Sequence, residues 1–202
     1  RSSDLLNEAF SDMIGTATEA YFQPRGSNPL QSDYLMGEDA FKALRTGSIS
    51  GIRSMQSPTL FGHPDHYSIR YTGAQDNGGV HTNSGIPNNA FYLMTLGGTN
   101  PTSQTKVAFG LGWDKSTKLW YRANTELLTQ GSDFAAAAAA TNRAAKDLGF
   151  TQNEQNIVEC AWIATGVTTG TCKSITNPQS DTPSTSSSSG SNTGSSSGSS
   201  GR

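Results

Sequence analysis

Glu8, Asp12 and Glu19 stand four and eleven residues apart along the chain. At about 100° per residue a helix brings all three onto one stripe with Gly15. Three acids on one face repel one another unless cations sit among them. The stripe therefore reads either as a solvated acidic face or as a place for metal ions. The sequence has three histidines, His63, His66 and His81. His63 and His66 flank Pro64 and Asp65, and the proline removes the helical spacing that would aim both rings at one metal, so they read as structural loop residues. His81 follows the run Gln75, Asp76, Asn77, Gly78, Gly79, Val80. Taken alone, an imidazole in a glycine-rich loop is a surface residue.

These groups must be positioned by the elements around them. Leu6, Ala9, Phe10, Met13, Ile14 and Ala17 recur at helical spacing, which predicts an amphipathic helix over residues 4–22 with Ser3 or Asp4 as its cap. Pro24, Gly26 and Pro29 end it, and through about residue 82 the chain is rich in Gly, Pro, Asp and Asn with little periodicity. A structureless stretch of that length is unusual unless it serves a function. A helix is predicted over residues 84–96 with Gly97 and Gly98 as its stop, then a weak segment at 106–109 and a helix over 115–128. The alanine-dense run 133–148 predicts another helix, ended by Gly149. Thr151, with Glu154 three residues on, opens the last as a capping box, with Ile157, Val158, Ala161 and Trp162 facing inward. The fold class is mainly α: about five helices and one long irregular loop region.

The chain has 202 residues and a net charge of −2, with its 14 Lys and Arg dispersed. It carries no electrostatic footprint for nucleic acid. No run of about eighteen apolar residues offers a membrane span, and the first residues show no signal peptide. Residues 1–173 contain all the Trp, Tyr, Phe and Met, enough for one folded domain. Residues 174–202 are almost entirely Ser, Gly, Thr, Asn and Pro and read as a disordered linker or tail. Cys160 and Cys172 close a short loop. A disulfide there would fit an exported protein, and two free buried thiols are the alternative. Few Lys, many Asn, Gly, Ser and Thr, and the tail itself point to a secreted, extracellular setting.

The segment N-E-A-F-S-D at residues 7–12 and the block H-P-D-H-Y-S-I-R-Y-T-G-A-Q-D-N-G-G-V-H-T-N-S-G at residues 63–85 together resemble the thermolysin family of zinc metalloendopeptidases. The likeness keeps its order from about Leu5 to Val167. It includes G-E-D at 37–39, R-S-M at 53–55 and W-D-K-S-T-K-L-W-Y-R-A at 113–123. The resemblance implies that Glu8 is the third zinc ligand and that Asp12 holds a zinc-binding imidazole in place. It implies that His81, fixed by Asp76, donates to the developing oxyanion, and that Arg53 binds a substrate backbone carbonyl and shapes the main specificity pocket. It also implies a structural calcium near the end of the first helix, with Glu19, Asp33 and the backbone carbonyl of Leu35 as ligands of a single-calcium version. Family members prefer large apolar residues on the carboxyl side of the cut.

The family's H-E-x-x-H helix, source of two zinc ligands and the water-activating Glu, does not occur in this sequence. The resemblance therefore implies that the chain is the C-terminal half of a secreted endopeptidase, inactive by itself. It would work with an N-terminal H-E-x-x-H-bearing domain of the same protein, on protein or peptide substrates, with a further module possible beyond the tail. The competing reading is a non-catalytic binding or structural module of the same fold. A third, a cell-wall or adhesive protein, rests on the tail alone.

Overall fold

The structure, a computed structural model, describes residues 2–26, 31–38 and 51–178. Helix α1 spans Ser2–Phe22. After it come two short strands, β1 (Leu35–Met36) and β2 (Arg53–Ser54), paired antiparallel with Leu35 opposite Ser54. A short helix α2 (Asp76–Asn83) runs almost directly into α3 (Gly85–Leu96). A second antiparallel pair, β3 (Gly98–Thr99) and β4 (Lys106–Val107), leads to α4 (Trp113–Arg122). The last two helices are α5 (Phe134–Asp147) and α6 (Gln152–Ala164). Among the described residues the fold is mainly α, with five helices of ten residues or more, as the periodicity predicts.

Local signals set most of the helix ends. Asp133 accepts a hydrogen bond from the Ala136 N–H and caps α5, and Thr151 and Glu154 form the reciprocal capping box at the head of α6. Helix α1 begins earlier than the predicted cap, at Ser2. That places Asp4 inside the first turn, where a carboxylate is favoured by the helix dipole. The predicted 115–128 helix starts two residues sooner, as α4, and loosens at its end into a π-turn, Ala123–Leu127. The weak 106–109 segment is strand β4.

Helix α1 packs on α2, α3 and α4, while α3 also packs on α6, and α6 on α5. Met13, Phe91, Leu93, Met94, Leu119, Ile157, Val158 and Trp162 lie in the shared core with no more than 1 % exposure. The Trp162 indole N–H donates to the Thr141 hydroxyl at 2.7 Å. Its polar edge is thereby satisfied in full burial. Glu154 is also buried. Burial pushes its carboxyl up, but the Lys115 ammonium and the Thr151 donors outweigh this and leave it below the ordinary carboxylate range.

Among the described residues, the stretch between α1 and α2 is built from short elements. It holds the β1–β2 pair and two 3-10 turns, Pro58–Phe61 and Tyr67–Ile69. Buried amides fasten it to the helices. Asn89 donates to the Met55 and Gln56 carbonyls, and Asn100 donates to the Asp65 carbonyl and to Asn89. Asp65, fully buried, accepts from the Thr102 hydroxyl. Hydrogen-bonded polar side chains replace apolar periodicity as the organising signal here.

Cys160 on α6 and Cys172 form a disulfide across 12 residues. It lays the segment after α6 back along that helix. Lys173 pairs with Glu159 at 2.7 Å, Asn153 exchanges two hydrogen bonds with Thr176, and Ile175 packs against the core. Ordered packing thus continues past residue 173, while residues 179–202 of the serine-rich tail lie outside the described set. Loop-closure entropy makes this disulfide worth about 2–3 kcal/mol. Reduction is expected to lower the thermal midpoint by roughly 5–10 °C, measured by calorimetry with and without a thiol reductant. An unchanged midpoint would show that the strap carries no stability.

Candidate active site

Three segments of chain meet at the site. Glu8 and Asp12, one turn apart, come from α1 itself, Arg53 from β2, and Asp76 and His81 from α2. The start of α2 is not regular helix: Asp76, Asn77, Gly78 and Gly79 all have positive φ, between 50° and 89°. The two glycines tolerate the left-handed region freely, and Asp and Asn are the residues that accept it most readily otherwise. A Cβ on Gly79 would also lie 2.6 Å from the Tyr71 ring. Asn83 ties the preceding strand of loop to α2 by accepting from the Tyr71 N–H at 2.8 Å and donating to the Tyr71 carbonyl at 2.9 Å.

The left-handed run turns the Asp76 carboxylate onto His81. One oxygen accepts the His81 backbone N–H at 2.8 Å, and the other meets His81 Nδ1 at 2.6 Å. This bond fixes Nδ1 as the protonated nitrogen and aims Nε2 outward, 3.4 Å from Oε2 of Glu8. The His81 side chain is 53 % exposed and that of Glu8 38 % exposed. Both open onto the surface of the domain. The Asp76 hydrogen bond holds the His81 imidazole above its ordinary range, and the same bond holds the Asp76 carboxyl below its own.

The signs give a pH window. Stabilisation from a raised histidine is complete below its unfolded value and is lost as pH rises through the folded one. Stabilisation from a depressed carboxylate is present above its unfolded value and lost as pH falls through the folded one. The pair therefore contributes between these limits, and exposure keeps the contribution small. A proton NMR titration of the ring is expected to place His81 above an ordinary histidine, with Asp76→Asn bringing it down. A His81 that titrates normally in the unsubstituted domain would contradict the pairing.

Asp12 is buried, at 8 % exposure. Its Oδ1 accepts from Arg53 Nη2 at 2.6 Å and its Oδ2 from Asn88 Nδ2 on α3 at 2.8 Å. Arg53 keeps further guanidinium donors beyond this bond, and its side chain is 18 % exposed. The structure thus brings together Glu8, Asp12, Arg53, Asp76 and His81. Glu19 lies near the other end of α1, with Asp33 and Leu35 beyond it. Asp33 Oδ1 accepts the Leu35 N–H at 2.7 Å. The Tyr34 and Met36 carbonyls, on either side of Leu35, accept from the Met55 and Ile52 N–H groups that flank β2, so strand alternation turns the Leu35 carbonyl to the opposite edge.

Two participants escape sequence reasoning. Asn88 sits in an apolar helix and reveals itself only through its contact with Asp12. His63, read as a loop residue, is half-buried within electrostatic reach of Arg53, Asp12, Asp76 and His81. Burial, then the Arg53 charge, holds it below the ordinary histidine range. Its place in the H-P-D-H run is the one available signal. His66 is a local brace, its Nδ1 accepting from the Ser68 N–H and meeting the Ser68 hydroxyl.

Among the described residues no three His, Cys, Asp or Glu side chains are grouped to hold a metal ion by themselves. Glu8 nonetheless fits as a single ligand, because its carboxylate is a partly exposed oxygen donor beside an outward-facing imidazole.

The helical fold and this residue set define the class as the helical domain of a metallopeptidase. The chain belongs to the family described as thermolysin metallopeptidase, alpha-helical domain, which matches residues 1–167. It is 45 % identical over 166 residues to a bacillolysin of Bacillus cereus and 46 % identical over 168 residues to a thermolysin of Alicyclobacillus acidocaldarius subsp. acidocaldarius. Each match covers 82 % of this chain but 27 % and 28 % of the relatives, so the chain spans just over a quarter of their length. The precursor of protealysin, a metalloproteinase from Serratia proteamaculans, has a solved structure that superposes with a TM-score of 0.63 at 31 % identity. That match covers 83 % of this chain and 51 % of that one.

Proposed function

We propose that this domain is the C-terminal half of a secreted zinc endopeptidase and supplies part of its active site. The observation that carries the reading is the Asp76–His81–Glu8 alignment: an imidazole fixed at Nδ1 by a carboxylate offers Nε2 beside a second, open carboxylate. Glu8 would hold the zinc ion together with two histidines of an H-E-x-x-H domain. Bound there, zinc supplies Lewis-acid polarisation of the scissile carbonyl and a more acidic water.

The chain's own residues do the rest. His81, protonated and held by Asp76, donates from Nε2 to the oxygen of the tetrahedral intermediate, where a preorganised donor gains most. Arg53, anchored on Asp12, turns its remaining donors to a backbone carbonyl of the substrate. Asp12, buried and held on both oxygens, orients a zinc-binding imidazole of the partner domain. Glu19, Asp33 and the Leu35 carbonyl bind one structural calcium, for which hard oxygen donors are the suitable set. Substrates are proteins or peptides, with large apolar residues preferred after the cut.

The test is reconstitution. The chain alone is expected to hydrolyse no peptide, and the chain joined to its H-E-x-x-H domain is expected to show hydrolysis that a zinc chelator removes. Chelator-sensitive hydrolysis by the isolated chain, or none by the joined protein, would reject the proposal. A joined protein that binds peptide but never cleaves it would instead support a binding module.

A further inference from the structure

Asn88 and Asn89 stand side by side on α3, both without exposed surface, yet they face different tasks. Asn89 serves the scaffold, donating to the Met55 carbonyl at 2.9 Å and accepting from Asn100 at 3.0 Å. Asn88 faces the candidate site, donating from Nδ2 to Asp12 Oδ2 at 2.8 Å across 76 residues of sequence. The orientation of this amide is dictated by chemistry: an ionised carboxylate accepts only, so a flipped amide would set oxygen against oxygen.

The two donors divide the Asp12 carboxylate between them. Arg53 of β2 takes Oδ1 and Asn88 of α3 takes Oδ2, so rotation of the carboxylate plane is stopped from two directions. Because Asn88 is neutral, it does so without adding a second cation beside Asp12. The bond comes at a cost to stability, since the Asn88 Oδ1 is buried with no hydrogen-bond partner among the described residues. A core position designed for packing alone would be better filled by an apolar side chain of similar shape. Departures of this kind concentrate where function demands them.

We infer that Asn88 is a positioning residue that fixes the Asp12 carboxylate and, through it, the zinc-binding imidazole that Asp12 holds. The inference rests on the role given to Asp12 under the proposed function. It places no group of Asn88 on the substrate. It assigns Asn88 to metal retention and turnover, and Asn89 to stability.

The experiment uses the complete protease, with zinc affinity read by chelator competition, the thermal midpoint by calorimetry, and kcat and KM separately. Asn88→Leu is expected to weaken zinc binding by roughly 10–100-fold, the usual cost of losing a group that orients a metal ligand. It should lower kcat more than it raises KM, and the thermal midpoint of the zinc-free protein should fall modestly, because buried Asp12 loses the donor on Oδ2. Asn88→Ala removes the donor without adding bulk or charge, so it remains informative if the Leu variant does not fold, and should lose zinc to a similar degree. Asn89→Ala should lower the midpoint and leave zinc affinity unchanged. If Asp12→Ala weakens zinc binding while both Asn88 variants retain it, the role of Asn88 is wrong and that of Asp12 stands. If Asp12→Ala itself retains zinc, the reading of Asp12 fails and the inference falls with it.

Discussion

Glu8→Ala in the complete protease is expected to release zinc and abolish hydrolysis while leaving the helical fold intact. A catalytic zinc site needs three protein ligands and an open position. Glu8 is the partly exposed carboxylate that the structure places 3.4 Å from Nε2 of His81. Removing a ligand should cost more than the roughly 10–100-fold in affinity that accompanies loss of an orienting partner. The fold should survive because the Glu8 side chain is 38 % exposed and its loss opens no core cavity. Metal content after dialysis, peptide hydrolysis and a circular-dichroism melt separate these effects. Zinc retained at full stoichiometry, with activity, would remove Glu8 from the ligand set.

The second large effect concerns His81. His81→Ala should lower kcat by about 10²–10³-fold, equivalent to about 2.7–4 kcal/mol, the range found when one oxyanion donor is deleted. KM should change little, since the donor is needed where charge develops and not in the ground state. Asp76→Asn should cost less, because the ring remains but loses its anchor at Nδ1. The double variant should be no worse than His81→Ala alone, as expected of groups that act as one unit. The pH dependence has a fixed sign. Asp76 holds His81 above its ordinary range, so the alkaline limb reflecting His81 deprotonation should move to lower pH in Asp76→Asn. A His81→Ala enzyme with wild-type kcat, or an alkaline limb that ignores Asp76, would contradict the assignment.

How much of this was legible beforehand depends on the reach of each interaction. The capping box of Thr151 and Glu154 and the Asp133 cap act within three residues, so residue types and spacing suffice to read them. The α1 stripe follows from helical geometry, which places Glu8 and Asp12 one turn apart. The 63–85 block carried the resemblance that implied roles for Asp76 and His81, and the left-handed run at the start of α2 explains two of the block's glycines, Gly78 and Gly79. The stretch before α2 was hard to read because buried amides such as Asn89 and Asn100 organise it, bonding backbone carbonyls more than thirty residues away. No periodicity announces such bonds.

The sequence by itself determined the helical class, the caps of the last two helices, the face of α1 that bears the acids and the residues that match a metallopeptidase family. These follow from local propensity, hydrophobic period and motif. Only the tertiary structure decided what each residue touches. It set Arg53 on Asp12 across 41 positions and Asn88 on its other oxygen across 76, drew His63 within reach of both charged pairs, and turned His81 toward Glu8. The physical reason is that charge and hydrogen-bond complementarity between distant segments depends on how the helices pack, and packing sums over the whole core.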